Sequence, residues 1–241
     1  MHNLLATKKN LPKNFLQVII AYLILIIVAF ITYQSLNTIK DFNKNNISKG
    51  LNTVLQTTQE SLLIWVKHRK VIILDLATNP QVVSFTEQLL AANSNKSNIE
   101  KSNTIKKLQR IIMPSLARYE DDNFFIIAPS RKVLASLHSH QTSKDIPIKG
   151  DSEQYLTQSF KGTKTFIPPL LIPSSDKNSF EKQAAIFFTA PISSSSGDII
   201  AVLVIQVDPF KRFSEITQLG RLGSTGETYA FNDQAMLISQ S

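Results

Sequence analysis

The longest apolar segment of the chain is residues 15–33, whose 19 positions include no charged side chain. At ~1.5 Å of rise per residue, a helix over this segment is ~28 Å long, close to the thickness of the hydrocarbon core of a bilayer. A cleaved signal peptide has a shorter apolar core of ~7 to 15 residues and a small-x-small cleavage site, which residues 32–36 do not provide. The pattern therefore predicts an uncleaved transmembrane helix, assigned to residues 15–35.

The lysines around this segment predict its orientation. Three lysines lie within the first 13 residues, whereas the first lysine after the segment, Lys40, is followed directly by Asp41. Positive charge next to a membrane helix tends to stay on the cytoplasmic side. We therefore predict a single-pass protein with a cytoplasmic tail at residues 1–14 and with residues 36–241 exported.

Beyond the apolar segment, the hydrophobic pattern becomes that of an amphipathic helix. Apolar residues between positions 47 and 76 recur mostly at steps of three, four and seven, which places them on one helical face. Asn79-Pro80 ends this helix, because Pro disrupts a helix interior but is tolerated at the first position of a new helix, which Asn can cap. A second helix is predicted over residues 81–92.

A third helical segment follows a polar loop. Residues 93–104 are rich in Ser, Asn and Lys and predict a mobile loop. Residues 105–119 again carry apolar positions on one side and predict a helix, which Pro114 should kink. Together these elements form a predicted helical stalk over residues 36–120.

After Asp121 the pattern changes to short segments rich in β-branched and aromatic residues, separated by turn residues. Residues 151–160 differ, because they begin with acidic side chains and end before Gly162, as is typical of a short helix. We therefore predict a compact α+β module over residues 121–208, an antiparallel sheet crossed by one helix. The predicted strands cover residues 124–128, 132–139, 164–171, 184–192 and 198–207.

The C-terminal part is predicted to contain a linker and a hairpin. Pro209 follows Asp208, a good capping residue, so a helix is predicted over residues 209–219 within a linker at residues 209–220. Two more strands are predicted in the final segment, residues 221–241. They cover residues 227–232 and 236–240.

Composition and charge narrow the class of protein. The chain contains no cysteine, which excludes a disulfide framework, a thiolate nucleophile and a zinc-thiolate site. Its net charge is +8, but the basic residues are spread along the chain, so a membrane surface explains them better than nucleic acid does. We therefore expect no nucleic-acid partner. The roughly 205 residues after the apolar segment are enough for one large domain or two small ones.

Three segments resemble parts of the double Cache sensor regions of bacterial transmembrane receptors. The segment that resembles the junction between the two Cache modules of that family is DIIAVLVIQVDPFKRFSEITQLGRLGSTGETYAFNDQAMLISQS. The segment similar to the membrane-rising helix of these sensors is ESLLIWVKHRKVIILDLATNPQVVSF. The segment similar to their first hairpin is FFIIAPSRKVLASL. The likeness covers most of residues 36–241. It implies a PAS-like, extracytoplasmic sensor module over residues 121–208, followed by the first hairpin of an incomplete second module in residues 221–241. It also implies that the membrane is the bacterial inner (cell) membrane and that residues 36–241 lie in the periplasm.

The resemblance also implies a ligand site, in which a small molecule binds between the sheet of the outer module and the loops that cover it. An amino-acid-binding subset of the family has an R-x-W-Y motif at the start of the crossing helix and an Asp on a later strand. This chain has DSEQY at residues 151–155 and Gln206 at the strand position, so it lacks the partners of a carboxylate and an α-ammonium. Amino-acid sensing is therefore not predicted, and the ligand stays unidentified.

Five residues are candidates for lining that pocket, and core packing is the competing role for such side chains. Two of them, Phe187 and Thr189, share one face of a predicted strand. The candidates are Tyr155, Phe166, Phe187, Thr189 and Gln206.

Other groups of chemically active residues have simpler explanations. His138 and His140 alternate near a strand, but two nitrogens without a third ligand make an incomplete metal site. Asp121-Asp122 has the position of turn acids, and a calcium site needs more oxygen ligands in sequence. Three glycines between positions 220 and 226 lack the Lys-Ser/Thr of a phosphate-binding loop. We expect neither a metal nor a cofactor.

These patterns predict a membrane-anchored sensor for a small molecule, which is not an enzyme and which forms a homodimer through the stalk helix. The alternative is a structural or protein-interaction module, because a tail of about 14 residues leaves no cytoplasmic output domain in this chain. An exported hydrolase is a third hypothesis, but no nucleophile and base can be placed together. Since the predicted second module stops after one hairpin, the chain is expected to be the front part of a longer receptor or the product of a broken receptor gene.

Overall fold

A computed structural model describes residues 13–95, 98–138, 146, 148–173, 182–218, 220, 226, 228–231 and 237. Two compact units divide the chain within its first helix, one up to Thr53 and the other from Val54. The helices are α1 (Lys13–Thr78), α2 (Pro80–Asn95), α3 (Asn98–Tyr119), α4 (Glu153–Phe160) and α5 (Ser214–Gln218). The strands are β1 (Asn123–Ile127), β2 (Val133–Ser136), β3 (Thr165–Pro173), β4 (Lys182–Ser193) and β5 (Ile199–Val207).

In the first unit, the described residues all belong to α1. Every side chain between Phe15 and Lys49 whose burial is described is exposed. An apolar window of this helix has a mean hydropathy of 2.3 and is 0% buried. By length and composition, α1 therefore contains a candidate transmembrane helix, as the sequence predicts.

The boundary between α1 and α2 also lies where the sequence predicts it. α1 ends at Thr78 and α2 begins at Pro80. The side-chain Oδ1 of Asn79 accepts a hydrogen bond of 2.9 Å from the backbone N–H of Gln81, which is the expected capping contact. The missing N–H of Pro80 costs nothing here, because the first N–H groups of a helix have no partner within the helix.

The predicted loop over residues 93–104 is wrong for most of its length. α2 continues to Asn95, and α3 begins at Asn98 rather than at residue 105. Glu100 lies in the first turn of α3, where its charge is favourable to the helix dipole, and its carbonyl accepts a hydrogen bond of 3.0 Å from the Thr104 hydroxyl. Thr104 is buried, so tertiary packing overrides the polar composition of this segment. α3 then continues through Pro114.

The sheet has five antiparallel strands in the order β2-β1-β5-β4-β3. This confirms the predicted α+β module, in which the first two strands form a hairpin and α4 connects it to the remaining three. Gly197 has a φ of +92° in the turn between β4 and β5, a backbone conformation that favours glycine. Gly162 has a φ of +97° just after α4, as the predicted helix stop requires.

Each face of the sheet is buried against helices. The stalk face, which includes Phe124, Ile126, Phe188 and Ile205, packs against the three long helices. On this side the ring of Trp65 from α1 meets Phe188 edge to face, with 5.4 Å between the ring centroids. The α4 face, which includes Phe125, Ile127, Phe187 and Val204, packs against Leu156 of α4.

The linker after β5 differs from the single predicted helix. Asp208 caps it as expected, since its Oδ1 accepts a hydrogen bond of 2.8 Å from the backbone N–H of Phe210. Pro209–Phe213 then forms a wide π-type turn, and Lys211 within it has non-helical angles of φ −87° and ψ −107°. The helix therefore begins only at Ser214, whose hydroxyl donates to the carbonyl of Pro209 at 3.2 Å.

Most of the predicted C-terminal hairpin lies outside the described residues. One antiparallel bridge pairs Phe231 with Leu237, which belong to the two strands predicted at residues 227–232 and 236–240. The incomplete second module therefore stays a prediction.

Candidate functional site

The structure separates the five predicted pocket residues. Phe187, Thr189 and Gln206 lie on the α4 face, because Phe187 is paired with Gln206 and Thr189 with Val204 in the β4–β5 register. Tyr155 of α4 packs, partly buried, against the same cluster. Phe166 instead lies on the stalk face, where its ring centroid is 5.3 Å from that of Phe188. Phe166 therefore cannot line a pocket on the α4 face.

Thr189 is part of a buried hydroxyl cluster, which consists of Ser159, Thr165 and Thr189. The hydroxyls of Thr165 and Thr189 are 2.6 Å apart, and both are hydrogen bonded to Ser159 of α4. Thr165 also reaches the carbonyl of Tyr155 at 3.3 Å. These hydroxyls satisfy one another, so Thr189 attaches α4 to the sheet rather than facing an empty space.

A cavity of about 490 Å³ lies at the end of the sheet where β5 ends and β1 and β4 begin. Its volume is in the range of small-molecule sites in proteins. Of the five predicted residues, only Gln206 is among the described residues that line it. The lining residues are Asp122, Asn123, His138, Gln183, Ala184, Gln206, Asp208 and Phe210. We call this space the Gln206 cavity.

Backbone register and one buried side chain build the wall of the Gln206 cavity. Asn123 lies opposite Gln206 in the β1–β5 pairing, and the N–H of Asp122 donates to the carbonyl of Gln206 at 3.0 Å. The Oδ1 of Asn123 accepts hydrogen bonds from the N–H groups of Phe124 and Leu137, at 2.9 and 3.1 Å. Asn123 thereby fixes the start of β1 against the end of the hairpin, next to His138.

The Gln206 side chain is the most unusual feature of the cavity. Gln206 is 3% exposed, yet its amide makes no hydrogen bond to any other residue that the structure describes. Its amide atoms are not among the buried side-chain atoms that lack a partner, so they open into the cavity, where they offer two donor hydrogens and an acceptor oxygen. A polar ligand in the cavity could therefore form hydrogen bonds with this amide in place of solvent.

Two of the residues that line the cavity, Asp122 and Asp208, carry carboxylates. Asp122 forms an ion pair with Lys211 of the linker, with 2.8 Å between Oδ1 and Nζ, and this bond raises the pKa of Lys211. Asp208 uses one oxygen to cap the linker. The cavity is therefore lined by acidic side chains in a chain whose net charge is +8.

A buried ion pair lies beside the cavity, and the sequence analysis does not predict it. Arg69 of α1 and Asp121, the residue before Asp122, bind each other with side chains that are 4% and 1% exposed. The guanidinium also lies over the ring of Tyr119, 4.9 Å from its centroid. From the sequence, Asp121 is expected in an exposed turn. The one sequence feature that could have indicated the ion pair is Arg69 itself, because a charged residue within the amphipathic part of α1 needs a partner if it is buried.

The metal hypothesis for His138 and His140 cannot be tested as a pair, because His140 lies outside the described residues. Among the described residues, no group of three or more potential side-chain ligands is placed to hold a metal ion. His138 lines the Gln206 cavity and is one of the polar side chains of its wall.

Comparisons with known proteins bear on the fold. No family model matches the chain, and no curated protein matches it in sequence. The sensor domain of the V. cholerae histidine kinase DctB is similar in structure, with a TM-score of 0.50 and 15% sequence identity over 72% of this chain and 58% of that one. The described sheet and its helices therefore have a Cache-type fold. The chain thus spans less than two thirds of the DctB sensor domain.

Two chemoreceptor ligand-binding domains have lower similarity to the chain. That of Pseudomonas fluorescens CtaA, solved in complex with L-isoleucine, has a TM-score of 0.49 and 10% identity over 82% of this chain and 71% of that one. That of Campylobacter jejuni Tlp3, solved in complex with 4-methylisoleucine, has a TM-score of 0.48 and 18% identity over 80% of this chain and 69% of that one.

Proposed function

We propose that the chain is the sensor region of a membrane receptor and that its small-molecule ligand binds in the Gln206 cavity. The observation that supports this most directly is Gln206, which is 3% exposed and whose amide opens into a cavity of about 490 Å³ without a hydrogen bond to another described residue. The Cache-type fold is consistent with this role, although a fold alone does not determine a function. The proposal replaces the five-residue pocket predicted from the sequence with a different set of lining residues.

The proposed receptor is anchored by residues 15–35, with residues 1–14 in the cytoplasm and residues 36–241 in the periplasm. The support for the anchor is an apolar window of α1 that has a mean hydropathy of 2.3 and is 0% buried. Lipid would cover such a surface, whereas water would not favour it. The lysines of the N-terminal tail support the orientation.

The proposed signal passes from the cavity to the stalk. Asp122 lines the cavity and directly follows Asp121, which is bound to Arg69 of α1. A ligand that prefers one arrangement of this region over another would shift α1 between two states, and only such a difference in affinity can transmit binding. No catalytic step is part of this proposal.

A thermal unfolding screen with matched variants tests the proposal. The full chain in lipid nanodiscs is heated with each compound of a library of small polar metabolites. A ligand at a hundredfold excess over its Kd should stabilise the fold by about 2.7 kcal/mol, which raises Tm by several degrees. Gln206→Leu should abolish this shift, because it keeps the side-chain size and removes the amide. Gln154→Leu, at an exposed position of α4, should leave it unchanged.

Two results would oppose the proposal. If no compound raises Tm, the chain has no small-molecule site of this kind, and a stable partner protein captured by the periplasmic part would favour a protein-interaction module instead. If a compound raises Tm equally in wild type and in Gln206→Leu, a ligand binds, but at another site.

A further inference from the structure

We propose that the ligand of the Gln206 cavity is a small organic cation with an ammonium group, held by Asp208 and Gln206, and that it competes with Lys211 for Asp122. This inference rests on the proposed function and adds the chemical class of the ligand. It is carried by the charges that line the cavity, by the Gln206 amide without a described partner and by the position of the Lys211 ammonium.

The lining of the cavity favours a cation. Its described residues include two carboxylates, Asp122 and Asp208, and no lysine or arginine. The amide oxygens of Gln183 and Gln206 add neutral acceptors for N–H donors. An anion would meet two carboxylates, of which only Asp122 is paired with an ammonium group, that of Lys211. An ammonium group could instead donate to a carboxylate and to the Gln206 oxygen together, in charge-assisted hydrogen bonds. Such a site is unexpected in a chain of net charge +8, so the acids there are not part of a generally acidic surface.

Lys211 shows that this edge of the module already holds an ammonium group. Its Nζ is 2.8 Å from Oδ1 of Asp122 and 3.5 Å from the carbonyl oxygen of Glu120. The two side chains of the ion pair are 43% and 30% exposed, so the pair is open to solvent. An exposed pair of this kind contributes little net stability, and a ligand ammonium can therefore replace the Lys211 side chain at low cost.

Competition at Asp122 would connect the cavity to the linker. Lys211 lies within the π-type turn Pro209–Phe213, and its backbone angles of φ −87° and ψ −107° interrupt the helical geometry there. The ion pair is one of the contacts that hold this turn against the start of β1. A ligand that takes Asp122 releases Lys211, and the turn that precedes α5 loses that contact.

A set of matched probes tests the chemical class. Linear aliphatic amines and diamines of two to six carbons are titrated calorimetrically into the full chain in nanodiscs, beside the alcohols and carboxylates of the same lengths. We expect binding by amines, at least about tenfold weaker binding by the alcohols, and none by the carboxylates, because the charged hydrogen bond is absent or its charge is reversed.

Two variants should change amine binding in opposite directions. Asp208→Asn keeps an acceptor for the Phe210 N–H and removes the charge, so it should weaken amine binding by about tenfold. Lys211→Gln removes the internal competitor and should strengthen amine binding severalfold. Asp198→Asn, at an exposed position in the turn between β4 and β5, is the matched control and should change nothing.

The outcomes separate this inference from the proposed function. If alcohols or carboxylates bind as tightly as amines and Gln206→Leu abolishes their binding, the cavity is a ligand site but the ammonium inference is wrong. If amines bind and neither Asp208→Asn nor Lys211→Gln alters their affinity, they bind elsewhere, which also overturns the inference. If no compound of any class binds in a Gln206-dependent manner, the proposed function fails as well.

Discussion

Asp121 lies at the junction between α3 and β1, where its side chain is almost fully buried against Arg69. The pKa of the Asp121 carboxyl is raised from 3.8 to about 6, because burial raises it more than the hydrogen bond and the charge of Arg69 lower it. The neighbouring Asp122 raises this pKa further, whereas Lys211 lowers it. Among the described residues, Oδ2 of Asp121 and Nη1 of Arg69 have no hydrogen-bond partner, so the desolvation of the pair is incompletely compensated.

The stability of the fold should therefore depend on pH through Asp121. The folded chain binds this proton more tightly than the unfolded chain, so the carboxyl favours folding most below about pH 4, and this contribution is lost as the pH rises through about 6. The difference between 3.8 and about 6 corresponds to at most about 3 kcal/mol. The measurement is the free energy of unfolding of wild type minus that of Asp121→Asn, from pH 4 to pH 8.

We expect the difference in free energy of unfolding between wild type and Asp121→Asn to fall between about pH 4 and pH 6 and to be level above pH 7. The same subtraction with Asp151→Asn, which removes an exposed carboxylate, should give no such fall. A wild-type advantage that increases with pH would show that Arg69 lowers the pKa of Asp121 more than burial raises it.

At the scale of elements, the sequence pattern predicts the strands well and their relative register poorly. Alternation and β-branched residues identify all five strands, and Asn79-Pro80 marks the break between α1 and α2. The assignment of Phe166 to the pocket is wrong because alternation along β3 does not say which residue of β4 it faces. The β3–β4 pairing has an irregularity between Ile167 and Leu170, and a shift of one residue exchanges the two faces of a strand.

The cavity is harder to predict than the strands for a related reason. The position of Gln206 on a strand is visible in the sequence, but Asp122, Asp208 and His138 come from three different connections. Only the fold brings these residues to one end of the sheet. Likewise, the loop predicted over residues 93–104 is largely helical, because the burial of Thr104 is a tertiary effect that local composition does not contain.

The buried hydroxyl cluster should be important for the attachment of α4. Thr189→Val keeps the shape of the side chain and removes its hydroxyl, which leaves Ser159 and Thr165 with fewer buried partners. We expect a loss of about 1–3 kcal/mol in the free energy of unfolding, measured with a denaturant. Thr163→Val, at an exposed position after α4, should lose much less. Equal effects of the two substitutions would mean that the cluster does not stabilise the attachment of α4.

At the scale of the whole molecule, α1 has apolar surface that the described residues leave uncovered. Leu63, Ile64 and Val71 are 61%, 69% and 53% exposed, although Trp65 and Ile73 on the same helix pack against the sheet. Lys67 and His68 lie between Leu63-Ile64 and Val71 on this side of the helix, so the exposed apolar side chains alternate with polar ones there. We expect a second copy of the chain to cover this surface, because a dimer related by two-fold symmetry brings the same helical surface of each copy together.

Disulfide cross-linking can test this dimer without background, because the natural chain has no cysteine. We expect Ile64→Cys, expressed in membranes and exposed to a mild oxidant, to form a cross-linked dimer that a reducing agent separates. The physical reason is that residues near a two-fold axis approach their own symmetry mates, within the roughly 4.4–6.8 Å between Cα atoms that a disulfide allows. Ser195→Cys, exposed in the turn between β4 and β5, is the control and should stay monomeric. A monomeric Ile64→Cys chain, or equal cross-linking of both variants, would exclude a dimer through this part of α1.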